Sequence, residues 1–236
     1  MNLILLDPDD FVTSDRVRLT GRRLAHVREV CRSALGDELR VGALGGKLGR
    51  GRVRRLDDDA LELEIQLDRA PPPPLPVTLA LALPRPPALR RVLQQATALG
   101  VKRFLLFGTN RVEKSYWQSH GLEPGALEAQ LRLGLEQARD TILPRVETRR
   151  RFRPFAEDEL PALAREGQAL VAEPGAAPAP RGRVDRHTTL IVGPEGGFIP
   201  FELELLRTNG ARPIGLGERP LRVETAVVAL LARLGL

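Results

Sequence analysis

The chain has 236 residues, 42% hydrophobic and 28% charged, a composition of ordinary globular proteins at a length that suits two domains. Its one cysteine, Cys31, excludes an internal disulfide and a cysteine-based metal site, so no metal is expected. No apolar run reaches the length of a membrane span, and MNLILLDPDDF lacks the basic start of a signal peptide, which leads us to expect a cytoplasmic protein.

The net charge of +6 and the pI near 10.5 are compatible with a nucleic-acid partner. Only Lys47, Lys102 and Lys114 are lysines among the 36 basic residues, so genome composition accounts for part of the excess. Residues 1–70 hold equal numbers of acidic and basic side chains, which places the whole excess beyond them.

Residues 3–69 read as closely spaced short strands with turn signals, the pattern of a small barrel. Val17-Arg18-Leu19 alternates and ends at Thr20-Gly21. His26 to Leu35 is the one short helix. Leu39-Arg40-Val41 precedes a loop predicted from Gly42 to Gly51. Leu61 to Leu67 alternates at period two, the mark of a half-buried strand. Arg50, Arg52, Arg54 and Arg55 make a basic hairpin, either a solvated face beside its acidic turn Asp57-Asp58-Asp59 or a ribbon for phosphates. His26 and Arg32 can flank one helix.

Pro71 to Pro76 holds five prolines, an extended, semi-rigid boundary. It divides the chain into residues 1–72 and 73–236. Beyond it the pattern alternates between strands (Val77–Leu83, Val101–Phe107, Gln168–Ala172) and helices (Ala88–Leu99, Glu123–Arg139, Pro154–Arg165). Such alternation implies an α/β unit with a parallel sheet. Leu127, Leu131 and Leu135 share one helical face. Arg149, Arg150 and Arg151, with Arg153, form the densest basic cluster, suited to phosphate if it is more than a solvated face. Pro174 to Arg183 reads as a loop.

The sequence from Leu190 to Leu234 is the most informative. The apolar run Leu190-Ile191-Val192 ends in Gly193-Pro194-Glu195-Gly196-Gly197, and Pro213 to Leu216 ends in Gly217-Glu218-Arg219-Pro220. Ligands of open α/β sheets sit beyond strand carboxyl ends, so two glycine-rich turns there predict a small-molecule pocket. The first turn, Gly193 to Gly197, is neither a phosphate-binding P-loop nor a dinucleotide fingerprint. Arg222 is a fixed cation past the second turn, or the salt-bridge partner of Glu195 or Glu218. Glu224 lies at the surface or orients Arg222. Thr225 reads as the N-cap of an apolar helix running to the end.

LIVGPEGGF followed by IGLGERPLRVETA resembles the RsmE family of SPOUT-class RNA methyltransferases. HVREVCR at 26–32, QQATALGV at 94–101, Asn110-Arg111 and Glu136-Gln137 with Pro144 extend the resemblance over nearly the whole chain. It implies a PUA-like β-barrel RNA-binding domain, then an α/β SPOUT methyltransferase domain with a deep C-terminal trefoil knot. It further implies a homodimer that uses S-adenosylmethionine to methylate N3 of a uridine in the decoding region of 16S ribosomal RNA, on the small ribosomal subunit. The cofactor would lie against Gly193, Pro194, Glu195, Gly196 and Gly197, and against Leu216, Gly217, Pro220, Leu221 and Thr225. Val171 and Glu173 would form a third wall. Arg222 and Glu224 would be catalytic; His26, Arg32, Arg111, Arg149, Arg150 and Arg151 would contact RNA. The chain departs from the family at Pro84-Arg85-Pro86-Pro87, where a lysine is usual. It departs again at Asp140, where arginine is usual, and at Ile199, which replaces a small polar residue.

Overall fold

The computed structural model describes residues 2–182 and 185–235, so Arg183, the end of the predicted loop, lies outside the described residues. The chain forms two compact units, one of Met1–Pro73 with Arg132–Leu143, the other of Pro74–Leu131 with Pro144–Leu236.

The first unit is a six-stranded sheet in the order β1-β4-β5-β6-β3-β2. Its strands are β1 (Ile4–Leu6), β2 (Phe11–Thr13), β3 (Arg16–Leu19), β4 (Glu38–Ala43), β5 (Leu48–Leu56) and β6 (Leu61–Arg69). Only β1 and β4 pair in parallel. Alternation builds the core: Leu61, Leu63 and Ile65 of β6 face inward with Val17, Leu19, Val41 and Val53. The predicted Gly42–Gly51 loop shrinks to a tight turn, because β4 runs on to Ala43 and β5 starts at Leu48. The helix expected from His26 begins earlier, as α1 (Gly21–His26), and continues as a π-helical turn to Cys31. It stops where Arg32 turns left-handed at φ 52°, so Ser33–Leu35 are not helical. Residues 132–143 belong here because Leu135 packs against Leu3, Leu5 and Leu48. Buried Glu136 accepts two bonds from Arg22.

The second unit is a sheet ordered β12-β10-β11-β7-β8-β9. It comprises β7 (Val77–Ala82), β8 (Arg103–Phe107), β9 (Arg145–Arg149), β10 (Gln168–Ala172), β11 (Thr188–Val192) and β12 (Ala211–Ile214). Every neighbouring pair is parallel, as the α/β alternation predicts. β7 and β11 are buried along their whole length, which their continuous apolar runs require. Helices α2 (Pro86–Ala98) and α3 (Pro124–Ala138) follow β7 and β8. After β9, α4 (Phe152–Pro154) leads through a π-helical turn into α5 (Leu160–Glu166). Helix α6 (Pro200–Thr208) precedes β12, and α7 (Val223–Gly235) packs on α2. β9 is a strand the sequence reading missed, seeing there only a basic cluster. Because all six strands run the same way, their carboxyl ends open on one edge. That edge receives residues 83–87, 108–123, 150–151, 173–182, 193–199 and 215–222.

Candidate active site

Three of these strand ends, from β10, β11 and β12, enclose a cavity of about 320 Å³ with a mainly apolar lining. That volume is the size of a small-molecule site. The turn Gly193–Gly197 forms one wall, and Gly215, Leu216, Gly217, Pro220 and Leu221 form another. Glu173 and Pro174, at the end of β10, make the third. Val223, Ala226 and Leu230 of α7 close the floor together with Ile214. The predicted pocket residues Glu173, Gly193, Pro194, Glu195, Gly196, Gly197, Leu216, Gly217, Pro220 and Leu221 therefore meet in one cavity. Val171 does not reach it: it is fully buried inside β10, between Ile191 of β11 and Pro213 of β12. Thr225 does not line it either. It is exposed inside α7, whose first residue is Val223, so it is not the N-cap that the sequence suggested.

The walls are fixed by packing and backbone bonds. The Phe198 ring, next to the glycine turn, lies 6.3 Å from Phe107 at the end of β8, and Phe107 stacks on Phe155 at 4.5 Å. The turn closes through the Gly197 N–H donating to the Pro194 carbonyl at 2.8 Å. Buried Glu202 of α6 accepts from Ile199 N–H at 3.1 Å and from Asn110 N–H at 2.7 Å. Ile199 cannot cap the helix with its own side chain, and Glu202 takes over part of that task. Arg111 donates to the Gly196 carbonyl, so the loop after β8 holds the glycine turn from outside.

The second turn interlocks with the segment after β10. Gly215 N–H donates to Ala177 O at 2.7 Å, and Gly215 O accepts from Ala179 N–H at 2.9 Å. A Cβ at Gly215 would stand 2.6 Å from Ala176 O and 3.1 Å from Glu173 O, so only glycine permits this approach. Arg233 of α7 donates to Ala179 O at 2.6 Å, and Arg207 of α6 pairs with Glu173 at 2.6 Å.

Arg222 sits between the lining residues Leu221 and Val223 and is exposed. Neither Glu195 nor Glu218 pairs with it among the described residues; Glu195 pairs with Arg85 instead. Its carbonyl accepts from Ala226 N–H at 2.9 Å, which sets it at the start of α7. Glu224 is buried and takes a 2.9 Å bond from Arg91 of α2. A hydrogen bond from its own backbone, then those Arg91 contacts and the charge of Arg222, hold its carboxyl below the usual glutamate range against the opposing effect of burial. Glu224 is thus an ionised anchor.

The predicted RNA contacts divide. Arg150 and Arg151 are exposed, whereas Arg149 is committed to Glu159 and Glu147 at 2.5 and 2.9 Å. Arg32 is exposed; the Nε2 atom of His26 is buried with no partner among the described residues, and burial pushes the imidazole pKa down. The hairpin arginines are balanced: Arg50 and Arg52 pair with Glu38, Arg54 with Glu64, and Arg55 with Asp57 and Glu62. That is the solvated-face reading. Asp140 is buried and accepts from Ile142 N–H at 3.0 Å, a local structural role. Among the described residues there is no group of three or more His, Cys, Asp or Glu side chains that could hold a metal, and no helix long and apolar enough to cross a membrane. The sequence reading missed Phe198, Ile214 and the α7 floor, whose only signal was the apolar face of the last helix.

Comparison with known proteins follows the same lines. The sequence profile of the RNA methyltransferase domain matches residues 71–235. Ribosomal RNA small subunit methyltransferase E of Treponema pallidum is 28% identical, over 98% of this chain and 90% of its own length. Ribosomal RNA small subunit methyltransferase E 1 of Borreliella burgdorferi is 23% identical, over 97% and 95%. The crystal structure of the Neisseria gonorrhoeae small-subunit methyltransferase E bound to S-adenosyl methionine superposes with a TM-score of 0.76 at 21% identity, covering 98% of this chain and 96% of that one. At that identity the match establishes a shared fold.

Proposed function

The chain belongs to the RNA methyltransferase domain family, and from that premise we propose that it methylates N3 of a uridine in the decoding region of 16S ribosomal RNA, with S-adenosylmethionine as donor. The observation that carries this reading is the junction of two glycine-rich strand ends over one mainly apolar cavity, with Arg222, which has no carboxylate partner among the described residues, between two of the lining residues. The cavity suits the cofactor in chemistry as well as size. Leu216, Leu221, Val223 and Leu230 offer apolar surface to an adenosine, and the turns offer backbone groups that can read a base edge. Glu173 and Glu195 place negative charge beside a bound cation.

When bound, S-adenosylmethionine supplies an electrophilic methyl group on a sulfonium. The protein's part is to position and to stabilise. N3 of uridine carries a proton and lies on the pairing edge, so the base must be unpaired or flipped out to present it. In-line approach to the methyl then depends on orientation held by the pocket walls. As the N3 proton passes to solvent water, negative charge spreads to O2 and O4, and Arg222 is the preorganised cation that stabilises it. Glu224, ionised and held by Arg91, fixes the first turn of α7 and so the position of Arg222.

The same reading takes residues 1–72 as a PUA-like RNA-binding domain and 73–236 as the SPOUT methyltransferase domain. It includes a C-terminal trefoil knot, supported by the interlocking of Gly215 with Ala177 and Ala179. It also includes a homodimer acting in the cytoplasm, as the resemblance of the sequence to the family implies. Arg32, Arg111, Arg150 and Arg151 contact RNA. The test is mass spectrometry of nucleosides from small-subunit RNA incubated with and without the protein and S-adenosylmethionine. Appearance of 3-methyluridine is expected; its absence overturns the assignment.

A further inference from the structure

We propose that the carboxyl edge of β7–β9 carries a second site beside the cofactor cavity, a base-stacking platform for single-stranded RNA formed by Trp117 and Arg150. The proposal rests on the methyltransferase reading and adds where nucleotides other than the methylated one are held. The sheet order divides the ligand edge in two. The ends of β12, β10 and β11 make the cavity. The ends of β7, β8 and β9 deliver Arg85, the loop of Arg111 to Trp117, and Arg150 with Arg151 to the other half.

The residue types in this half suit unpaired nucleotides. Aromatics are only 4% of the chain, and its one tyrosine and one tryptophan, Tyr116 and Trp117, are adjacent in a surface 3-10 turn, Lys114–Gln118. Both are half-buried, outside the aliphatic core. The Arg150 guanidinium lies 5.8 Å from the centre of the Trp117 ring. Gly108 sets this arrangement: a Cβ there would strike the Arg150 carbonyl at 2.2 Å and reach the Trp117 ring at 3.7 Å. A second pair follows from the same segment, Arg153 over exposed Phe201 at 5.8 Å. Bases stack on aromatic rings and on guanidinium planes without regard to sequence, and arginine neutralises the adjoining phosphate.

Charge follows the same division. Arg150 and Arg151 have no carboxylate partner among the described residues, while Arg149 has two. The bond from Arg111 to Gly196 O joins this half of the edge to the glycine turn of the cavity. A strand lying on the platform is therefore delivered to the cavity mouth.

Trp117 is the only tryptophan, so intrinsic fluorescence reads this site alone. Titration of the full chain with a single-stranded oligouridylate of about ten nucleotides is expected to quench Trp117 emission. Trp117→Ala is expected to weaken binding, measured by anisotropy of labelled RNA, by about tenfold, and Trp117→Phe to retain most of the affinity. Arg150→Ala is expected to match Trp117→Ala, with Arg150→Lys between it and the wild type. Arg150 is exposed, so its variants keep the test open should Trp117→Ala unfold. A wild type that neither binds this RNA nor forms 3-methyluridine in small-subunit RNA overturns the methyltransferase reading. A wild type that forms it overturns the platform alone if RNA leaves Trp117 emission unchanged, or if Trp117→Ala and Arg150→Ala both keep affinity within twofold.

Discussion

Glu202 accepts the backbone N–H of Asn110 at 2.7 Å, although 92 residues separate them in the chain. Its second oxygen accepts from Ile199 N–H, so one buried carboxylate joins the loop after β8 to the first turn of α6. The glycine turn before α6 lines the cavity, and Arg111 of the loop after β8 reaches across to its Gly196. Glu202→Ala leaves two N–H groups without their acceptor, a loss of about 2–6 kcal/mol at ~1–3 each when the site stays dry. Glu202→Gln keeps one acceptor oxygen and is expected to lose about half as much. Urea unfolding should show the midpoint ordered wild type, Gln, Ala. Equal midpoints for Ala and wild type would remove the clasp.

Arg222→Ala separates chemistry from binding. The guanidinium carries no structural bond among the described residues, so its removal should leave the fold intact. If it stabilises charge on the uracil oxygens, turnover falls about 10²–10³-fold, the scale for losing one such donor. Calorimetry with S-adenosylmethionine should give an affinity close to that of the wild type. A variant with undiminished turnover would assign Arg222 no catalytic part.

Two glycines of the second turn make contrasting predictions. Gly215→Ala drives a methyl group against Ala176 O at 2.6 Å, between segments that are bonded on both sides. Cofactor binding should drop more than tenfold, with loss of stability. Gly217 has φ 105° with open space around its Cβ position, so Gly217→Ala pays only backbone strain, about 1–3 kcal/mol. Comparable cofactor affinities for the two variants would contradict the interlocked geometry.

Acid should weaken the second unit through Glu224 and Glu147. The former is held low by its backbone hydrogen bond and by Arg91. For the latter, burial pushes upward but the hydrogen bonds from Arg103 and Arg149 carry it lower. A carboxylate whose folded pKa lies below the usual 4.5 binds fewer protons in the native state. Its stabilisation is complete above that value and disappears as pH falls through the folded pKa. Urea midpoints should therefore decline below about pH 4.5, and Glu224→Gln should flatten the decline. His26 has the same sign in a higher window: burial lowers its pKa from 6.5, so protonation below that pH opposes folding of the first unit. His26→Gln should remove the slope just below pH 6.5 and leave the carboxylate slope untouched.

Sequence patterns that report burial were legible; those set by distant partners were not. β6 could be read from Leu61, Leu63 and Ile65, since alternation and one-sided burial are the same fact. β9 could not, because Arg145-Val146-Glu147-Thr148-Arg149 is an edge strand with no fully buried side chain. The glycine turns announced a pocket because backbone approach needs glycine locally. That Arg149 is spent on Glu147 and Glu159, while Arg150 is not, depends on α4 and the π-helical turn folding back over β9. Thr225 looked like a cap from its place before an apolar run, yet Val223 and Glu224 are already helical, fastened by Arg91 from another helix.

The strand order has a consequence for synthesis. β7, β8 and β9 are neighbours in the chain and in the sheet, so they can pair as soon as they emerge. β10 follows them but pairs with none of them; among the described residues its partner strands are β11 and β12, and β11 must slot between β10 and β7. Every residue lining the cavity lies at or beyond Ala172, and its floor includes Leu230 of α7. A ribosome making this protein therefore completes the arginine-bearing half first, and the cavity only once β11, β12 and α7 have followed β10 out of the exit tunnel. A chain ended before α7 has the arginine-bearing half and no floor for the cavity.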